Sequence, residues 1–213
     1  MSSLSIGRVL RSIFNGDGKP AAWALPLRVV ESISAGTDER DSFHLACEEI
    51  RRGLDARRTI LILNQEGGPR IVACSDSQPG TAGSGPADNI EPRRDELACC
   101  LSKLTAIEEI ADLNEDPRRD VLVDLIDVTR SEGLRSVKAV LISPLIENER
   151  TIGGIFVFGS GNRGRWRPEE KLLLQAACSS LAMAIHQADL YEKEKRAANR
   201  EAITNRLLTA LRT

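Results

Sequence analysis

The residues of this chain best suited to chemistry are its cysteines and histidines. Its five cysteines are an odd number without any Cys-x-x-Cys spacing: Cys47, Cys74, Cys99, Cys100 and Cys178. Such irregular spacing is typical of reduced thiols, because disulfide frameworks and zinc sites need cysteines in pairs. We therefore expect no disulfide framework.

The adjacent pair Cys99-Cys100 lies in a predicted helix and is the strongest candidate for thiol chemistry. Neighbouring helical residues point about 100° apart, so the two thiols cannot easily bind one centre. Redox sensing would also need an accessible thiol with a lowered pKa. We favour structural cysteines, and keep as an alternative a redox sensor or thiol enzyme that uses Cys74, Cys99 or Cys100.

Other catalytic patterns are missing from the sequence. His44 and His186 fall in separate predicted helices, with no carboxylate or cysteine at ligand spacing. We find no Ser-His-Asp order, phosphate-binding glycine loop or paired-carboxylate motif. We therefore expect no catalytic residues and no metal ligands, in a protein that is not an enzyme.

The balance of charged side chains indicates which classes of partner the protein is suited to bind. With 29 basic and 31 acidic side chains, the formal net charge is -2, which gives no basic surplus for nucleic acid or anionic membrane. No apolar run approaches the roughly 20 residues that span a bilayer. The amino terminus lacks the apolar core of a signal peptide. We expect a cytoplasmic protein with neither a nucleic-acid nor a membrane partner.

The element that organises the chain is a predicted β-hairpin over Val137–Ser160, with its turn at Glu147–Glu149. Side chains alternate along a strand, and both alternating sets are mostly apolar here. Both faces of the hairpin should therefore be covered. Gly153-Gly154 at the start of the return strand predicts a close backbone approach or a bulge.

The rest of the chain divides into helices and further strands. Phe43, Ala46, Cys47, Ile50 and Leu54 recur at helical spacing and predict a core-facing stripe. The predicted helices are Ser2–Phe14, Leu27–Ala35, Thr37 or Asp38 to Leu54, Arg93–Leu104, and one with Pro117 in its first turn that ends at Glu132. The predicted strands are Arg57–Leu63 and Arg70–Cys74, with loops at Asn64–Pro69 and Ser75–Asn89 and a short strand or helix continuation at Ala106–Ile110.

A final helix begins at Pro168, with no breaker before Thr213. At about 1.5 Å per residue it would be roughly 70 Å long, so its far end should project beyond the domain. Apolar residues recur at alternating three- and four-residue spacing, which predicts a coiled-coil seam and a homodimer. The residues assigned to this seam include Leu174, Leu181, Ala184, Ala188 and Tyr191.

Four segments together resemble a GAF domain, the small-molecule sensor module of many signalling proteins. They read HLACEEIRRGLDARRTILI, LNEDPR, VKAVLISPLIENERTIGGIFVF and RWRPEEKLLLQAACSSLAMAIHQADLYEKE. The resemblance is to the GAF domains of cyanobacterial-type sensor histidine kinases and related multidomain signalling proteins. It implies an α+β fold with a central antiparallel sheet, helices on one face, a pocket on the other, and a long C-terminal helix. The implied divisions are an extension at 1–26, a core at 27–166 and a signalling and dimerisation helix at 167–213.

The same resemblance places Val140, Ile142, Phe156 and Phe158 on the pocket face of the sheet. One interpretation is a site for a small hydrophobic ligand, with Arg135 in reach of an anionic group. The other is a pocket filled by its own side chains, which would leave a structural dimerisation domain. We favour the filled pocket and keep the ligand site as the alternative.

Two ligand classes are disfavoured by comparison with the family. Bilin-binding members carry Cys-His ten and nine residues before the first hairpin valine, where this chain has Asp127 and Val128. A covalent bilin is therefore not expected. The Asn-Lys-Phe-Asp-Glu signature of cyclic-nucleotide-binding members is also missing, which weakens that assignment. The cofactor stays unknown.

The resemblance implies a regulatory domain of a cytoplasmic signal-transduction protein, such as a two-component system. It would dimerise through its terminal helices and relay ligand or partner binding to an output domain or partner signalling protein. The alternative is the cysteine-based redox sensor or a thiol enzyme, similar to methionine sulfoxide reductases of the family. The output activity, whether kinase, cyclase or phosphatase, is left open.

Overall fold

Five helices and five strands make up the described part of the chain, which in this computed structural model is residues 24–35, 39–77, 94–127, 137–159 and 164–210. The helices are α1 Leu25–Ala35, α2 Glu39–Gly53, α3 Arg94–Lys103, α4 Arg119–Asp127 and α5 Pro168–Ala210. The strands are β1 Ala56–Gln65, β2 Gly68–Asp76, β3 Glu108–Ile110, β4 Val140–Glu147 and β5 Arg150–Gly159.

The five strands form one antiparallel sheet in the order β2-β1-β5-β4-β3. The predicted central hairpin is confirmed as β4 and β5, with Glu147 paired to Arg150. Asn148 and Glu149 form its turn with φ angles of 46° and 64°. Positive φ at both turn residues gives the tight turn whose twist matches that of the strands.

Both faces of this hairpin are covered, as the alternation predicts. Leu141 and Val157 point into a core shared with α1, α2 and α5 (the α5-side core). Ile142 and Phe156 point the other way, into a core shared with α3 and α4 (the α3-side core). The fold is therefore α+β, with helices packed on both faces of the antiparallel sheet.

The strand alternation fails at the two ends of β4. Strict alternation back from Leu141 would place Val137 on the same face, but Val137 lies in the α3-side core because it precedes the regular strand. A register shift between Leu145 and Ile146 marks a bulge at the other end, and Ile146 is exposed. A bulge at this end of the hairpin was one of the two outcomes predicted from Gly153-Gly154.

The first hairpin is longer than predicted. β1 continues through Asn64 and Gln65, and β2 already begins at Gly68, so the predicted loop is only a short turn. Pro69 fits inside β2 because this is an edge strand, where a missing amide hydrogen costs no ladder bond on the open side. Ser75 also belongs to β2 and not to a loop.

Two helix starts differ from the prediction by more than one residue: α1 begins at Leu25 and not at Leu27, and α4 begins later than predicted. Pro117 lies before α4 and not in its first turn. The Asp116 side chain accepts a hydrogen bond from the Arg118 amide at 2.8 Å, and the Arg119 amide bonds to the Asp116 carbonyl at 3.0 Å. Asp116 therefore organises the chain ahead of the helix. The predictions for Ser2–Phe14 and Arg135 lie outside the described residues.

The uninterrupted final helix is confirmed as α5, with 43 residues. At about 1.5 Å per residue it is roughly 64 Å long. Among the described residues, no helix combines the length and the apolar composition needed to cross a membrane.

Candidate functional site

A small cavity lies on the α3-side of the sheet, between β4, β5, α3 and α4. Its walls are mainly apolar and include Leu101, Leu122, Ile142 and Phe156. Its volume is about 10 Å³, about the space that one water molecule needs. Within the described residues, this cavity therefore leaves no room for a ligand larger than water.

All four apolar residues predicted for the pocket are buried in the α3-side core. Ile142 and Phe156 line the cavity itself. Val140 and Phe158 are fully buried beside it and belong to the same core. Arg135, the predicted anion-binding residue, lies outside the described residues.

Arg118 is the cation that the structure places at the cavity, and sequence reasoning missed it. Its guanidinium hydrogen-bonds both Asp116 oxygens at 3.0 Å and also contacts Glu108. The hydrogen bond to Arg118 lowers the pKa of Asp116, and the same bond raises the pKa of Arg118 above its ordinary value. An anionic ligand would have to displace these carboxylates. The signal in the sequence is the Asp-Pro-Arg of LNEDPR.

A second missed charge is Arg58, which is fully buried on β1. Its Nη2 atom lies 2.6 Å from Oδ2 of Asp76 on β2, and it is paired in register with Phe158. Removing either partner of such a buried pair alone destabilises the protein, because the other charge is left buried without its partner. Arg58 therefore belongs to the frame that holds the pocket face, and Asp76 lies in a strand where a loop was predicted.

The opposite face of the same hairpin holds α5. Ser143 of β4 hydrogen-bonds the Cys178 thiol of α5, but burial dominates and raises the pKa of Cys178 to about 12. The thiol thus stays protonated at neutral pH and acts as a core residue. Only the thickness of β4 separates the cavity from α5, because Ile142 faces the cavity and its neighbour Ser143 faces the helix.

The start of α5 is tied to the edge strand β3. Glu109 accepts hydrogen bonds from Lys171 Nζ at 2.5 Å and from the Trp166 amide at 2.7 Å. Burial alone would raise the pKa of Glu109, but these hydrogen bonds outweigh it and the pKa lies below its ordinary value. The first turn of the long helix is therefore fixed to the sheet by a charged pair.

Of the residues predicted for the dimer helix, some are buried in the domain and others are exposed. Leu174 and Leu181 are fully buried in the α5-side core, so in this conformation they are not available to a second copy. Burial decreases toward Ala184, and Ala188 and Tyr191 are exposed. The predicted seam is thus a core-facing stripe in its first half.

The thiols mostly lack the properties of redox sites. Cys47 is buried, and burial raises its pKa well above the ordinary value. Burial is also the main cause of the raised pKa values of Cys74 and Cys100. Cys99 is exposed. Among the described residues, no group of three or more histidines, cysteines or carboxylates is placed to hold a metal ion.

In a comparison with known families, the GAF domain model matches residues 38–185. Comparison with curated protein sequences yields no significant match.

Several solved structures share the fold at low sequence identity. The GAF domain of a phosphoenolpyruvate-protein phosphotransferase from Acinetobacter is similar with a TM-score of 0.58 and 12% identity, over 82% of this chain and 99% of that one. A phycoerythrobilin-bound GAF domain from a cyanobacterial phytochrome gives 0.56 and 20%, over 81% and 98%. A phosphotransferase GAF domain from Coxiella burnetii gives 0.55 and 14%, over 81% and 96%. At these identities the similarity shows the fold alone.

Proposed function

Because this chain belongs to the GAF domain family, we propose that it is the regulatory sensor domain of a cytoplasmic signal-transduction protein. In this proposal a small molecule or partner acts on the α3-side of the sheet. The α5 helix on the other side passes the change to an output domain or a partner signalling protein, as in two-component systems. The chain itself carries out no catalysis.

The observation that carries this proposal is the double role of the central hairpin. Ile142 and Phe156 line the cavity, while Ser143 and Val157, their neighbours in sequence, face the core that holds α5. Close-packed interiors transmit strain because they contain little free volume. A ligand that enlarges the cavity would displace these strands and thereby shift α5.

The size of the cavity implies that binding requires opening. A site of about 10 Å³ cannot hold a small organic molecule, so α3 and α4 would have to move outward. The Arg118 pairs with Asp116 and Glu108 join the segment before α4 to β3 and oppose this movement. A ligand would then bind only a minor open state. Its apparent affinity would be lower than its affinity for that state, because only a fraction of the molecules is open.

The proposed ligand is not a covalent bilin, although a similar structure contains phycoerythrobilin. Position 127 is an aspartate, which offers no thiol for attachment, and Val128 follows it. The proposed partners are a second copy of the chain and a downstream signalling domain, with neither nucleic acid nor membrane.

The test uses Leu101→Ala with benzene as an apolar probe, since engineered apolar cavities bind benzene. Leu101 is fully buried and lines the cavity, so its truncation should create space there. We expect benzene to raise the Tm of this variant but not of the wild type. We also expect benzene to change amide hydrogen exchange at 174–182 in α5.

The unliganded variant controls for the destabilisation that the substitution itself causes. Benzene binding without any change in exchange along α5 would contradict the relay. Failure of benzene to bind the enlarged cavity would contradict the assignment of this face as a ligand pocket.

A further inference from the structure

One end of the cavity on the α3-side of the sheet is charged, although its walls are mainly apolar. We call this end, which Arg118 and Cys100 line, the rim. The Arg118 side chain is 30% exposed, so it touches both the cavity and the solvent. Burial raises the pKa of the Cys100 thiol, and the positive charges of Arg118 and Lys103 both oppose that rise. Two cations therefore lie near the rim.

Glu108 of β3 brings a carboxylate to the same rim. It is paired in register with Ile142 of β4, which lines the cavity. Partners across two neighbouring strands point to the same face of the sheet, so the Glu108 side chain lies on the cavity side. There its Oε2 atom accepts a hydrogen bond from Nη1 of Arg118. A carboxylate of the chain itself thus binds the guanidinium beside an apolar cavity.

The two carboxylates that bind Arg118 are held differently. Asp116 accepts hydrogen bonds from both Nε and Nη2 of Arg118 at 3.0 Å, and its side chain is only 14% exposed. The Glu108 side chain is 39% exposed and binds at Nη1. An ion pair with this much exposure contributes little, because water screens it. Displacement by a ligand therefore falls on Glu108, while the bonds to Asp116 keep the guanidinium at the rim.

From this arrangement we infer that the ligand of the cavity is a monocarboxylic acid with a compact apolar body, and that Glu108 is its competitor within the chain. The carboxylate of the ligand takes the place of the Glu108 carboxylate on Arg118. The planar guanidinium is well suited to this exchange, because its N–H groups match the geometry of a carboxylate. The inference rests on the proposed function, in which a small molecule acts on this side of the sheet.

The walls of the cavity limit the ligand to one charged end. Beyond the rim they consist of buried apolar side chains, among them Leu97, Leu122 and Phe156. A second charge on the body of the ligand would be buried among them without a partner, which is costly. A neutral analogue of the same shape would leave Glu108 on Arg118 and gain nothing from the cation. The site should therefore distinguish a carboxylate from its amide.

The same exchange favours the opening that binding requires. The Arg118–Glu108 pair joins the segment before α4 to β3. A ligand that replaces Glu108 removes this link, and its apolar body fills the space that opens between the helices and the sheet. Recognition of the carboxylate and opening of the cavity are thus one event.

The test uses phenylacetate and phenylacetamide, which share a benzene ring and differ in the end group. Both are titrated by calorimetry into the full chain with Leu101→Ala, the substitution that should enlarge the cavity. We expect phenylacetate to bind more tightly than phenylacetamide. Equal affinities would overturn the inference. Failure of benzene to bind the same variant would instead contradict the proposed function, so the two failures are distinguishable.

Glu108→Gln in the Leu101→Ala background removes the competing carboxylate. We expect the ratio of the phenylacetate and phenylacetamide affinities to increase about tenfold, the factor for one hydrogen bond between charged groups. Glu115→Gln is the matched control at an exposed carboxylate before α4, and it should leave the ratio unchanged. A general loosening of the site would strengthen both ligands equally. An unchanged ratio in Glu108→Gln would therefore overturn the role of Glu108 as competitor.

A measurement that leaves the rim unaltered follows Arg118 directly. In the Leu101→Ala variant, we expect saturating phenylacetate to shift the NMR signal of the Arg118 Nε–H group, and phenylacetamide to shift it much less. An Arg118 signal that phenylacetate does not move would overturn the assignment of this guanidinium as the carboxylate site.

Discussion

At the residue scale, Gly153 in β5 leaves no space for a side chain. A Cβ atom there would overlap the carbonyl oxygen of Ile62 and approach the Leu63 Cα at 3.0 Å. Both neighbours are backbone atoms of β1, so the strand itself would have to move. This close approach explains the need for glycine in the return strand.

We expect Gly153→Ala to destabilise the domain by about 1–3 kcal/mol, the usual range for overpacking in a core. Gly67→Ala is the matched control, because no atom lies within 4 Å of its added Cβ. Its effect should stay within about 0.5 kcal/mol. Urea unfolding of both variants provides the measurement, and equal midpoints would contradict the close approach.

Glu48 gives a prediction about pH. Burial alone would raise its pKa, but hydrogen bonds from Arg51 and Ser75 dominate and lower it from the ordinary 4.5 to about 2. A group with a lowered native pKa stabilises the fold above its unfolded pKa, and this contribution disappears as pH falls from 4.5 to about 2. We expect Glu48→Gln to destabilise by about 1 kcal/mol at pH 7, since the pair is partly exposed.

The difference between wild type and Glu48→Gln should shrink as pH falls below 4.5 and vanish only when the pH is below the native pKa of about 2. Urea unfolding at several pH values measures it. A difference that stayed constant across this range would show that the carboxylate charge is not the cause.

The thiols give a prediction that also tests the redox alternative. Cys99 is exposed, whereas burial raises the pKa of Cys47, Cys74, Cys100 and Cys178. Thiolates are the reactive form, so native labelling with a disulfide reagent at pH 7 should modify Cys99 first. Cys99→Ser should lose the fast phase. Fast labelling at Cys74 or Cys100 would instead support the alternative of a redox sensor or thiol enzyme.

At the element scale, the start of α5 depends on β3. Glu109 joins Lys171 and the Trp166 amide, and Glu170 accepts a hydrogen bond from the Arg167 amide at 2.8 Å, which caps the first turn. The helix therefore begins at a place that the sheet determines. A strand displacement would act on α5 at its first turn as well as through Ser143.

We expect Glu109→Gln to destabilise the domain by about 1–2 kcal/mol, because it removes a charge-assisted hydrogen bond. Amide exchange should also increase at 168–172. Glu115→Gln, at an exposed carboxylate in the loop before α4, is the control and should change neither quantity. Unchanged exchange at the start of α5 in Glu109→Gln would contradict the anchoring.

At the scale of the whole molecule, α5 has two parts with different physical roles. The first half completes the α5-side core through Leu174, Ala177 and Leu181. The second half is exposed along 193–200 and contributes little to the fold of its own domain. Its stability must come from elsewhere, because an isolated polar helix is marginal in water.

A chain cut after Tyr191 separates these parts. We expect its Tm at low protein concentration to stay close to that of the full chain, since the core residues remain. We expect its self-association to weaken, because the cut removes most of the exposed part of α5. Light scattering and thermal unfolding over a concentration series measure both. Equal association of the two chains would show that the projecting part is not an interface.

The sequence by itself determined the features that depend on local patterns. The Val137–Ser160 hairpin followed from alternation and its turn residues, and α5 from the absence of breakers after Pro168. The Phe43–Leu54 stripe followed from helical spacing, and all five of its residues are buried. These are properties of short segments, so the chain order alone is sufficient to find them.

Only the tertiary structure decided how distant segments meet. It placed Arg118 at the cavity, buried Arg58 against Asp76, and lined the small cavity with side chains of α3 and α4. It also assigned Leu174 and Leu181 to the domain core and left Leu172 and Met183 in solvent. On a helix with apolar residues on two sides, spacing gives the period of each stripe. Which stripe is buried depends on which one the sheet contacts, and that is a property of the folded chain.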